Sequence, residues 1–289
     1  MKTGINPYTV IAVCLMLSGC ATTPTDLQIQ LPYGVIIDPG HGGMDDGAVV
    51  GAIREDEANY DIACRMAWLL SGVGVQTRMT VWDPDHGHLP CRVLAVGDRD
   101  ERSDPVAPVA TGRSSRERID RINTFHREFL DAGIPEEHIT LISIHNDCLH
   151  TDSLYGPSVY IPGARYRRVD SKTGMREEAL SRILADTVMH QFQREPERFP
   201  LSGISEPVRN VIRVSSKAYV PAVLRCNTPS TKVLVETANL TNERDRARVR
   251  SARWRNDCAR VMAQALLAHF DLVPRRESGA MAAGEAEQR

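Results

Sequence analysis

The chain has 289 residues, 42% of them hydrophobic and 25% charged, with a formal net charge of -2. That balance is globular and long enough for one full-sized core with extra loops, rather than a second large domain. Near-neutral charge, with acidic residues interleaved among the arginines, gives no argument for nucleic-acid binding and reads as solvated helix faces.

Lys2 precedes an apolar run over residues 10–17, and LSGC then ends at Cys20. The run is too short to span a bilayer as a mature helix and has the length of a signal-peptide core. LSGC resembles the bacterial lipobox, in which the cysteine is acylated and becomes the new N-terminus. An ordinary secretory signal with a chance cysteine is the alternative. The ATTPTD that follows suits a tether, and acyl chains on Cys20 would anchor the protein through their buried methylenes. Ala21, where an Asp is absent, resembles the pattern sent on to the outer membrane of a Gram-negative cell, facing the periplasm. The expected division is a lipoprotein signal peptide over 1–19, lipidated Cys20 and tether over 20–32, one folded domain over 33–272 and a disordered tail over 273–289. No later segment is long and apolar enough to be transmembrane.

Of seven cysteines, Cys64, Cys91, Cys148, Cys226 and Cys258 remain after the signal and the lipid anchor. They have no CxxC spacing and make a poor zinc site. An odd number in an oxidising compartment leaves at least one thiol free or paired between chains, with room for one or two disulfides. Cys64 and Cys258 fall in amphipathic helices, where a buried small hydrophobe is expected.

In chain order, residues 35–38 read as a strand. Residues 59–70 read as a helix with Ile62, Met66, Leu69 and Leu70 on one face, ended by Gly72 and Gly74. Residues 75–79 are a second strand. Residues 83–115 are rich in Pro, Gly, Asp and Arg and form an extra loop. Residues 117–130 are a helix with Ile119, Ile122, Phe125, Phe129 and Leu130 inward. Residues 139–144 and 159–161 are strands, 177–192 a helix, 233–235 a strand and 246–270 the closing helix. Residues 163–176 and 194–222 look like long loops, which tend to be functional or mobile. This alternation predicts an α/β fold: a single domain whose mostly parallel twisted sheet is flanked by helices on both faces, with long loop insertions.

Three of these strands end on titratable residues: VIIDPGH near His41, ITLISIH on His145 and VLVE on Glu236. Sites in open α/β sheets form beyond the carboxyl ends of the strands. If the three strands are parallel neighbours, their side chains converge. Glu55 and Glu57, expected just before the first helix, can return a carboxylate to His41. Two imidazoles and one carboxylate make a tetrahedral zinc site with one open position, and a further Glu can move the proton of the activated water. His86 and His88 lie in the extra loop, while His126 and His138 are expected on exposed helix and turn positions. His150 is the spare ligand.

IIDPGHGGMDDGA, EDEANYDIA, SIHND and VLVETANLTN resemble, in order, the signature blocks of the zinc-dependent N-acetylmuramoyl-L-alanine amidases of the amidase-3 family. RIDRIN (118–123), YGPSVYI and VLR (223–225) are weaker family-like pieces, and the resemblance covers residues 33–272. It implies one Zn2+ held by His41, Glu55 and His145, with Glu236 as the catalytic carboxylate, in a hydrolase acting on peptidoglycan. Glu55 is preferred to Glu57 because the family's Glu stands four residues before the Asn that matches Asn59. The chain departs from the family at Asp56 and Asn146, in a longer stretch between Arg225 and Glu236, and in the 83–115 loop. The implied partners are peptidoglycan and, through the lipid anchor only, the membrane; a protein activator is left open and no nucleic acid is expected. Two alternatives stand beside this reading: an inactive peptidoglycan-binding or regulatory lipoprotein of the same fold, and a zinc peptidase acting within stem peptides.

Overall fold

The computed structural model describes residues 31–42, 45–81, 111–167, 169–202, 207–210, 212–214 and 217–272. The expected signal peptide, Cys20, the tether through residue 30, His86, His88, Cys91, the extra loop through residue 110 and the tail from 273 lie outside the described residues. Residues 111–115, expected in that loop, are helical.

Apolar runs buried on both sides become the central strands. β1 (Gly34–Pro39) is buried at every position, and it runs parallel to β4 (Gln76–Met79) on one side and β5 (Ile139–Asp147) on the other. β10 (Thr231–Asn239) lies parallel to β5. β6 (Ser158–Tyr160) closes against β10 antiparallel, and β7 (Val208–Arg209) extends the edge, giving the order β4-β1-β5-β10-β6-β7. Two small hairpins, β2 (Val49–Val50) with β3 (Ile53–Arg54) and β8 (Ile212–Val214) with β9 (Lys217–Tyr219), stand apart from the main sheet.

Successive strand residues face opposite sides, which divides the core in two. Val35, Ile37, Ile142, Ile144, Val233 and Val235 meet the buried faces of α1 (Glu55–Gly72), α3 (Ser171–Gln193) and α6 (Ala252–Leu272). Ile36, Leu141 and Leu234 meet α2 (Thr111–Asp131) and the short α4 (Ala222–Arg225) through Ile122, Phe129, Val223 and Leu224. Helices therefore cover both faces, as expected, with the heavier layer on the α1 side. Among the described residues no helix is long and apolar enough to cross a membrane, and no disulfide links Cys64, Cys148, Cys226 or Cys258.

Several expectations need correction. The first helix begins at Glu55, four residues earlier than its apolar pattern, because its first turn carries polar site residues. The closing helix is two, α5 (Glu243–Arg250) and α6, broken at Ser251. Arg255 reaches back from α6 to the carbonyls of Val249 and Arg250 and pairs with Asp61 at 2.5 Å. The 194–222 stretch contains β7, the β8–β9 hairpin and the start of α4, and 163–176 holds the first turns of α3. Leu130 is 39% exposed rather than inward. His126 and His138 are buried, not exposed: His126 bridges Glu136 (2.6 Å) and Thr228 (2.9 Å), and His138 packs edge-on against Tyr33.

Candidate metal centre

Because β1, β5 and β10 are parallel neighbours, their carboxyl ends lie side by side. Gly40 N–H extends the ladder to the Ile144 carbonyl (2.8 Å). The chain then turns at His41, which holds φ +64 and is the one non-glycine described residue with positive φ. His145 and Glu236 fall within their strands rather than past them, and they are register partners across β5 and β10.

Glu55 joins the parts. Its position as the first residue of α1 aims the carboxylate back at the strand ends. Oε2 lies 3.2 Å from His41 Nε2, and Oε1 lies 3.1 Å from His145 Nδ1. Oε2 also accepts the Ala48 N–H (2.9 Å) and Oε1 the Asn146 N–H (3.1 Å). One ligand atom from each of His41, Glu55 and His145 falls within 4.8 Å of the others. Nitrogen and oxygen ligands about 2.0–2.1 Å from a tetrahedral ion lie about 3.4 Å apart, so this donor set fits a divalent cation. Glu57 instead stands 3.6 Å from Arg54, and His150 is exposed and outside the cluster.

Two glycines make room for the two imidazoles. A Cβ on Gly40 would meet the His145 ring at 2.2–2.5 Å. A Cβ on Gly47, itself at φ +65, would meet the His41 ring and the Glu55 carboxylate at 2.7 Å. Asp45 Oδ2 takes His41 Nδ1 at 3.0 Å while its Oδ1 accepts the Gly47 N–H. That arrangement leaves Nε2 as the ring atom facing Glu55, the usual way a carboxylate orients a ligating histidine.

The electrostatics follow from burial and neighbours. Burial works against a charge on His41, but Glu55 and then Asp45 outweigh it and raise the imidazole to about 9. Burial would raise Glu55, yet His145 and His41 hold its carboxyl well below the usual range. Glu236 has no such partner. Burial first, then the negative charges of Asp147 and Glu55, push it well above the ordinary carboxylate value. Its Oε2 is enclosed and has no hydrogen-bond partner among the described residues.

Strand alternation turns the next residues, Asn146 and Thr237, to the α1 side. Thr237 Oγ1 donates to Asn146 Oδ1 (2.7 Å), and Asn146 Nδ2 donates to Asn59 Oδ1 (2.7 Å). Asn59 Nδ2 in turn donates to the Gly40 carbonyl (3.1 Å). This buried chain braces both histidine segments against α1. Sequence reasoning missed it, and it missed Asp45. Asn146, a departure from the family pattern, is here a structural link. The four-residue spacing of His41 and Asp45 within a glycine-rich turn was the one available signal for Asp45.

The family model for N-acetylmuramoyl-L-alanine amidase matches residues 35–268. The chain belongs to this amidase family. Among solved structures, the amidase resembles the N-acetylmuramoyl-L-alanine amidase AmiC2 of Nostoc punctiforme, with 21% identity and a TM-score of 0.54 over 84% of this chain and 99% of the other. It also resembles the catalytic domain of the amidase CwlV from Bacillus (Paenibacillus) polymyxa var. colistinus, with 20% identity, a TM-score of 0.52 and coverage of 83% and 99%. The CwlD amidase from Clostridioides difficile, solved in complex with the GerS lipoprotein, matches at 16% identity and a TM-score of 0.54, covering 83% and 100%. No curated protein sequence matches the chain. Fold and family make the amidase a hydrolase of amide bonds on a single α/β domain.

Proposed function

We propose that this amidase is a zinc enzyme that cleaves the amide between the lactyl group of N-acetylmuramic acid and the L-alanine of the peptidoglycan stem peptide. The observation that carries the reading is the meeting of His41, Glu55 and His145 within 4.8 Å, with Glu236 directly across the ladder from His145. Zn2+ would be held by His41, His145 and Glu55, and when bound it supplies Lewis-acid polarisation of the amide carbonyl and lowers the pKa of water. The chain's own groups do the rest. Asp45 keeps His41 in the tautomer that offers Nε2. Glu236 accepts a proton from the attacking water and passes it to the departing amine of L-alanine. Its enclosed Oε2, which has no hydrogen-bond partner among the described residues, supports that role.

The proposal extends to location and partners. Acylation of Cys20 would hold the domain at the outer membrane facing the periplasm of a Gram-negative host, a reading supported by LSGC and Ala21. A protein partner is proposed only by likeness to CwlD with its lipoprotein.

The test is mass analysis of the products from intact sacculi, with metal content measured on the same preparation. Wild-type protein should carry about one zinc per chain and release stem peptides that begin at L-alanine. His41→Ala and Glu236→Gln should fold, and Glu236→Gln should lose activity by about a thousandfold while keeping its metal. Fragments that begin inside the stem would replace this reading with the peptidase. Binding to sacculi without any release, by folded and zinc-loaded protein, would replace it with the inactive lipoprotein.

A further inference from the structure

Arg118 lies in α2, the helix on the far side of the sheet from α1, yet its guanidinium ends at the metal centre's backbone. Nη1 donates to Asp38 Oδ1 at 2.7 Å and to the Pro39 carbonyl at 2.5 Å, and Nη2 donates to the His41 carbonyl at 2.5 Å. Three acceptors within four residues of one turn thus meet a single planar fork. Asp38 is 1% exposed, and it is held from two further sides by Thr80 Oγ1 (2.5 Å) and Ser143 Oγ (2.6 Å). Asp38 ties the guanidinium to β1 and, through Ser143, to β5, while the other two bonds of the fork grip Pro39 and His41.

The grip matters because of what His41 is asked to do. A non-glycine residue keeps φ +64 only where its surroundings over-determine it, and His41 is the one described residue in that state. Asp45 orients the ring from the side-chain end. Arg118 holds the same residue from the carbonyl end, and a carbonyl that is free to rotate would carry the ring away from Glu55. The fork geometry is specific to arginine, since a lysine ammonium is a point charge that cannot reach spaced acceptors in one plane.

We propose that Arg118 is a positioning residue of the metal centre, clamping the 38–41 turn so that His41 presents Nε2 to the ion shared with Glu55 and His145. The inference rests on the zinc reading above. It is tested on full-length protein with Arg118→Ala, Arg118→Lys and the control Thr80→Val. The control removes one Asp38 hydrogen bond but leaves the grip on His41. Zinc affinity is measured by chelator competition, and the cobalt-substituted protein is followed by its visible absorption.

Arg118→Ala should weaken zinc binding by roughly ten- to a hundredfold, the range seen when groups that orient ligands are removed. It should also alter the cobalt bands, and added methylguanidinium should restore both where methylammonium does not. Arg118→Lys, which keeps a cation beside Asp38, should show the same loss and serves if the alanine variant fails to fold. Thr80→Val should lower thermal stability with zinc affinity unchanged within about twofold, since it leaves the groups orienting the ligands in place. Unchanged zinc affinity in Arg118→Lys, or an equal loss in Thr80→Val, would overturn the inference and leave an ordinary structural ion pair. Absence of zinc binding by wild-type protein would sink the zinc reading instead, so the two failures are distinguishable.

Discussion

Two pairs of histidines sit at opposite ends of the same sheet and behave as different residues. At the carboxyl ends of the strands, His41 and His145 each lie within about hydrogen-bond distance of Glu55. At the amino ends, His138 and His269 are 5% and 2% exposed, and neither ring has a hydrogen-bond partner among the described residues. They pack instead in an aromatic stack, with Tyr33 lying flat on Phe270 at 4.4 Å, His138 edge-on to Tyr33 at 5.0 Å and His269 beside Phe270. Burial alone pushes His269 down to about 4. The same penalty acts on His41, but the carboxylates of Glu55 and Asp45 outweigh it and the value rises to about 9. At these two ends the difference is a carboxylate: set against His41 it offsets the burial penalty, and with none against His269 the penalty stands.

The comparison can be broken most directly by deleting one histidine at each end. His145→Ala should lose bound zinc and cut amide hydrolysis by more than roughly a hundredfold, beyond what removal of a supporting group achieves. His138→Leu should retain zinc content and turnover while shifting only the urea midpoint. A subtler probe leaves both imidazoles in place. Gly40→Ala puts a methyl group into the His145 ring, so zinc affinity should fall by about tenfold and stability by roughly 1–3 kcal/mol. Chelator competition and urea unfolding on one preparation would show whether the two losses travel together.

The smallest effect is a dependence on pH at the aromatic end. The folded His269 value of about 4 lies below the ordinary value of 6.5. The folded state therefore disfavours the proton, so the contribution to stability is complete above pH 6.5 and is lost as pH falls through 4. For a group this buried the loss approaches roughly 3 kcal/mol. Urea midpoints between pH 7 and 4 should fall less steeply in His269→Phe than in wild type. Equal slopes would mean that the imidazole accepts a proton without penalty.

Much of this molecule was legible in the chain itself, and the misses have physical causes. VIIDP, ITLISI and VLVE are apolar runs whose burial on both faces follows from their composition, and they became the three central strands. Glu55 was separable from Glu57 only by the family's spacing to Asn59. The structure adds the reason: the first residue of α1 faces the strand ends, while Glu57 stands by Arg54. His126 and His138 were misread as exposed because a polar ring in an apolar pattern looks like surface until its partner is known. Those partners, Glu136 and Tyr33, are respectively 10 and 105 positions away. The 194–222 stretch hid β7 and the β8–β9 hairpin because strands of two or three residues carry no periodicity.

By itself the sequence determined the alternation of strands and helices, the family and the residue types able to bind a divalent ion. Those depend on local pattern and on composition at short spacing. Only the tertiary structure decided which carboxylate reaches which imidazole, that Gly40 must stay small beneath His145, and that Arg118 reaches across from α2 to hold His41 at φ +64. Most of these are distances between segments tens of residues apart, which exist only once the sheet has set the strands side by side.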